Sequence, residues 1–157
     1  MRFSERYKIF SLTESADVTT AGVDTKSIHA GKVHEMCFLL NFGSITADDA
    51  LKVYVGAATA TKTTAIAFSY RLAGADTTVA LSDTQAAAVA VASTGLTLTA
   101  ATYDHKLLIV EIDAQAIADA TPYVTLEIAG SASTQNISIG VIVSPRYASN
   151  GGLPSIL

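Results

Sequence analysis

Charge is what this chain has least of. Only 15% of its 157 residues are Asp, Glu, Lys or Arg, against about 25% in an ordinary globular domain. Trp is missing, aromatics make up 7%, and there are three Pro and one Cys. Each shortage excludes something. The single thiol, Cys37, cannot close an internal disulfide; it reads as a lone buried thiol within a strand and leaves the redox compartment open. Ten cations stand singly, apart from Arg2, Arg6 and Lys8 at the start, and the net charge is −4. Without a concentrated cationic face, nucleic acid is not an expected partner. Apolar runs are short too. The stretch around Ala86–Ala92 falls far below the ~20 residues a membrane helix requires, so no membrane partner is expected either. The opening MRFSERYKIF lacks the apolar core of an export signal, which predicts a soluble chain synthesised in the cytoplasm.

Catalytic and metal-binding patterns are equally thin. His29, His34 and His105 reproduce no metal-ligand spacing with any Cys or carboxylate, so no metal or cofactor is expected. Asp104-His105 is the one acid–base dipeptide, and nothing around it resembles a nucleophile elbow. Asp48-Asp49 lacks the spaced oxygen ligands of a calcium loop and reads as solvated loop. Gly151-Gly152 has no flanking strand and helix to cradle phosphate. The chain is not expected to be an enzyme.

What is present is alternation. Large groups fall on every second residue in His34-Met36-Phe38-Leu40-Phe42, Leu51-Val53-Val55 and Ile66-Phe68-Tyr70-Leu72. The pattern returns in Leu108-Val110-Ile112, Val124-Leu126-Ile128 and Ile137-Ile139-Val141-Val143. A period of two places each set on one face of a pleated strand. Ala and Thr, together roughly 30% of the residues, supply small, weakly charged outer positions, a surface suited to packing against neighbours.

Breakers then delimit the elements. Strands are predicted over Val33–Phe42 (ended by Gly43), Leu51–Ala57, Thr63–Leu72, Lys106–Asp113, Tyr123–Ala129 behind Pro122, and Asn136–Ser144 stopped by Pro145. Shorter ones are expected at the edge near Tyr7–Leu12, and at Ser27–His29, Thr77–Leu81 and Leu96–Thr99. Ser15–Thr25 and Ser44–Ala50 read as loops, and Ala100–Asp104 as a turn. Asp113 is a candidate cap for one helical turn over Ala114–Ala118. Gln85–Ala92 lacks a helical stripe and leans to strand or irregular structure. With no crossover helices, a parallel α/β fold is excluded. The expectation is a single all-β domain: an antiparallel two-sheet sandwich or jelly roll of about eight strands, with an extended arm over 1–8, a β body over 9–147 and a flexible tail over 148–157.

The two ends carry the candidate partner contacts. Arg2, Phe3, Arg6 and Tyr7 in the arm, and Arg146, Tyr147, Ile156 and Leu157 toward the tail, waste apolar groups if left in water. An arm of this kind can add to a neighbour's sheet.

The chain also resembles the capsid decoration proteins of tailed bacteriophages, known as cement or head-stabilising proteins. The resemblance runs through Arg2-Phe3-Ser4-Glu5-Arg6, Lys32-Val33-His34-Glu35-Met36-Cys37-Phe38, Leu51-Lys52-Val53-Tyr54 and Phe68-Ser69-Tyr70-Arg71-Leu72. It continues through Thr97-Leu98-Thr99-Ala100-Ala101-Thr102-Tyr103-Asp104, Val110-Glu111-Ile112-Asp113, Pro122-Tyr123-Val124-Thr125-Leu126 and Pro145-Arg146-Tyr147. It implies a virion protein on the capsid surface, with the major capsid protein and further copies of itself, commonly as a homotrimer, as partners. Two other classes remain open: a tail, fibre or head–tail joining subunit, and a carbohydrate-binding sandwich for host attachment.

Overall fold

The computed structural model describes residues 3–13, 16–18, 22–73, 84–130, 135–146 and 155–157. Its strands are β1 Lys8–Ser11, β2 Ala16–Val18, β3 Val23–Asp24, β4 Ile28–His29, β5 Val33–Ile45, β6 Asp49–Gly56, β7 Thr64–Ile66, β8 Phe68–Leu72, β9 Val89–Val91, β10 Leu96–Leu98, β11 Leu107–Asp113, β12 Tyr123–Ile128 and β13 Gln135–Pro145. Two four-residue helices, α1 Phe3–Arg6 and α2 Ala100–Tyr103, accompany them. Every strand pairing is antiparallel, in two sheets. The larger runs β1-β13-β5-β11-β8-β9, with β2 also on β13; the smaller runs β10-β6-β12-β3, with β4 on β12 and β7 on β6.

The alternating residues meet where expected. Met36, Phe38, Leu40 and Phe42 from β5 join Leu108, Val110 and Ile112 from β11 and Ile137, Ile139, Val141 and Val143 from β13. Against them lie Leu51, Val53 and Val55 from β6 and Val124, Leu126 and Ile128 from β12, all in one buried cluster. Full burial of each such side chain contributes about 1.5–3 kcal/mol against the entropy of ordering the chain. The fold is therefore an all-β, two-sheet antiparallel sandwich.

Several local expectations are corrected. The described residues form thirteen strands where about eight were expected, because pieces of two or three residues pair along the sheet edges. The single strand expected over Thr63–Leu72 is two strands in different sheets: β7 lies on β6 and β8 on β11. The chain stays extended while crossing between layers at Ala67, so its alternation gives no sign of the switch. Within the expected loop Ser15–Thr25, β2 pairs with β13 and β3 with β12.

Gly43 does not end its strand; β5 continues to Ile45. A Cβ at position 43 would come 3.2 Å from that of Asn136, so glycine lets β13 approach closely there. Asp49 is the first residue of β6 and is buried, not a solvated loop residue. His34 falls out of the inward set. Val33 pairs with Pro145 while Glu35 pairs with Ser144, a bulge that leaves His34 over, with both His34 and Glu35 exposed. Ala100–Asp104 holds one turn of helix. Asp113 caps its turn as expected, its carboxylate accepting the N–H of Gln115 at 2.9 Å. The strand expected over Thr77–Leu81 lies outside the described residues.

Candidate functional site

The arm is compact instead of extended. Phe3–Arg6 forms a single helical turn, closed by the N–H of Tyr7 donating to the carbonyl of Phe3 at 2.9 Å. This fold-back stacks the rings of Phe3 and Tyr7 with centroids 4.6 Å apart, and sets the Arg6 guanidinium 5.3 Å from the Tyr7 ring. Phe3 is nevertheless 56% exposed, and Arg6 is exposed with no ion pair among the described residues. The arm leads into β1, the edge of the larger sheet, where Ile9 is 54% exposed. Phe3, Arg6 and Tyr7 thus form one cluster; Arg2 lies outside the described residues.

The C-terminal candidates do not form a second one. Ile156 is fully buried in the core of its own chain, and its carbonyl accepts the N–H of His29 at 2.9 Å. It is withdrawn as a partner contact: an Ile in the core gains more than one in water, and this gain ties down the last three residues of the expected tail. Arg146 is also committed inward. Its N–H reaches the carbonyl of Lys32 at 2.9 Å and its Nε donates to that of Val33 at 3.0 Å. Leu157 remains exposed, and Tyr147 lies outside the described residues.

The two outer faces of the sandwich differ in chemistry. On the smaller sheet, Lys62 sits between Asp24, at 2.9 Å, and Glu127, at 2.5 Å, beside the Tyr54 ring. Hydrogen bonds to Glu127 and Asp24 hold its ammonium above the ordinary lysine range. Further in, Ser27 Oγ and Thr125 Oγ1 pair at 2.8 Å. The larger sheet turns Ile142, Cys37, Leu39 and Ile109 outward, each half-buried or more, with the exposed Ile9 opposite Ile142. Ile109 is buried without belonging to the core cluster.

At one end of that larger face lies a hollow of about 620 Å³ whose lining includes His34, Glu35, Cys37, Ser69, Glu111 and Asp113, with no lysine or arginine among the described residues. Glu35 stands directly opposite Asp113, and Cys37 opposite Glu111, across the β5–β11 ladder. Cys37 is half-buried where a buried thiol was expected. Burial, and then the charge of Glu111, push its thiol up to about 11. The sequence reading missed these carboxylates. Their one signal was that they occupy outward positions of two strands, and nothing in the sequence says that those strands are neighbours.

Elsewhere, polar groups do structural work. Asp104 Oδ1 accepts the N–H of Ile45 at 2.8 Å and so holds the end of β5, while His105 Nε2 lies 3.8 Å from its other oxygen. Burial, and then the hydroxyl contact with Tyr70, raise the phenol of Tyr103 well above its ordinary range. Among the described residues no group of three His, Cys, Asp or Glu could hold a metal ion, and no helix is long and apolar enough to cross a membrane. No protein-family model, curated protein or solved structure matches the chain.

Proposed function

We propose that this chain is an adhesive structural protein of a virion: a decoration, or cement, protein that binds the outside of a tailed-bacteriophage capsid and stabilises the junctions between capsomers. Its partners in this reading are the major capsid protein and other copies of itself, and the resemblance favours a trimer. The observation that carries the reading is the arm. An aromatic–cation cluster of exposed Phe3, exposed Arg6 and half-buried Tyr7 precedes the edge strand of the sandwich, and such residues are those that dominate binding energy at protein interfaces. A rigid body with one sticky end suits a clamp, and many copies acting together turn modest contacts into lasting ones.

The test is removal of residues 1–7, which spares β1 from Lys8 onward. The truncated chain should keep its circular-dichroism spectrum and thermal midpoint while its occupancy on purified shells falls. Occupancy equal to that of the full chain defeats the reading. Copy number per particle separates it from the tail and neck alternatives, since hundreds of copies indicate cement and a handful indicate tail.

A further inference from the structure

We propose that the acidic hollow on the outer face of the larger sheet receives the Phe3–Arg6–Tyr7 arm of a second copy of this chain, so that copies join head to tail. This deepens the reading above and rests on it only in taking the arm as the adhesive segment.

The hollow contains an unresolved cost. Glu35 and Asp113 face each other directly across two strands, and like charges in that position are destabilising. Arg71 on β8 reaches Glu111 at 3.7 Å, with both side chains well exposed. Glu35 has no ion pair or side-chain hydrogen bond among the described residues. A guanidinium brought in from outside would offset the repulsion and form charge-assisted hydrogen bonds with these carboxylates.

The chain carries that guanidinium itself. Three of its ten cations, Arg2, Arg6 and Lys8, fall in the first eight residues, and Arg6 is exposed without a carboxylate partner among the described residues. Its own hollow opens on β5, two inter-strand steps from β1 or about 10 Å, and no ion pair joins Arg6 to it among the described residues. Arg6 instead rests on Tyr7. Between arm and hollow Ile9 and Ile142 stand in one row that leads to Cys37. One surface thus presents a basic aromatic knob at its edge, a carboxylate-lined hollow, and this row between them. Charge complementarity therefore points to another copy as the occupant. The contact joins different patches on the two partners, so it repeats into a ring or a chain.

Sedimentation velocity of the full chain, across a concentration series at low and high salt, tests this with Arg6→Glu and Glu35→Lys. Wild type should self-associate, more weakly at high salt, and each variant should lose about tenfold or more in association. Glu35→Lys should at the same time raise the unfolding midpoint slightly, since it converts a like-charge pair with Asp113 into an opposite-charge pair. A misfolded variant would lose both. Mixing the two variants should restore association, because the intact arm of one meets the intact hollow of the other. A monomeric wild type, or a Glu35→Lys chain that assembles as wild type does, overturns the inference. If the wild type is monomeric yet occupies shells through its arm, this inference alone fails. If Arg6 and Glu35 govern self-association but shells stay bare, the cement reading alone fails.

Discussion

The carbonyl of Ile156 accepts the N–H of His29 at 2.9 Å, and the Ile156 side chain is fully buried in the core of the sandwich. Residues next to the C-terminus are thus part of the folded body, tied to β4 and close to Lys32, whose ammonium lies 3.4 Å from the Leu157 carbonyl. Ile156→Ala should lower stability by about 2–5 kcal/mol, the range for truncating a core aliphatic residue. Urea denaturation measures it, and an unchanged midpoint would mean that the terminus is not docked.

Ser27 holds three parts of the smaller sheet together. Its hydroxyl pairs with that of Thr125 and also accepts the N–H of Ala60 at 2.8 Å, in a turn where Ala60 has φ +61°. Ser27→Ala removes the partner of the buried Thr125 hydroxyl and of the Ala60 N–H and should cost about 1–3 kcal/mol. Thr125→Val should cost less, since the Ala60 bond survives. Equal losses would show that the turn contributes nothing.

Asp49 is the opposite case. It begins β6 opposite Leu98, is buried, and among the described residues has no hydrogen-bond partner for either carboxylate oxygen. Its desolvation is uncompensated, so Asp49→Val should stabilise the fold by about 1–3 kcal/mol. A lower denaturation midpoint for the valine variant contradicts this.

Cys37 gives a pH-dependent observable. With the thiol raised from 9.0 to about 11, the thiolate fraction near pH 8 falls by about 100-fold relative to an unperturbed thiol. Iodoacetamide should therefore label the folded chain about that much more slowly than the unfolded one, with the rate climbing toward pH 11. Between these two values the unfolded state has lost the proton that the folded state retains. This group's contribution to stability is accordingly complete below pH 9 and declines as pH rises through 11. Folded-state labelling as fast as that of a free thiol would refute the shift.

Gly95 sits at φ +96°, where a Cβ would meet the Leu51 carbonyl oxygen at 2.8 Å and Lys52 Cγ at 2.7 Å. Gly95→Ala should destabilise by more than 1 kcal/mol and loosen the pairing of β10 with β6. Hydrogen exchange of the Leu96 and Leu98 amides reports that loosening, and protection equal to wild type would rule it out.

What the residues settled by themselves is the direction of most side chains along the long strands, His34 excepted. A two-residue period needs no partner to be read, so Met36, Phe38, Leu40, Leu51, Val53, Leu126 and Ile139 could be assigned to a core before any strand was paired. Local chemistry was equally readable: Asp113 caps its turn because a carboxylate two residues from an amide is a short-range arrangement. Everything that depends on which strands are neighbours needed the tertiary structure. The crossing at Ala67, the bulge that turns His34 outward, the burial of Ile156 and the meeting of Glu35 with Asp113 all arise from contacts between segments far apart in the chain. Such contacts are set by how the two layers close over their shared core, and no local pattern encodes them.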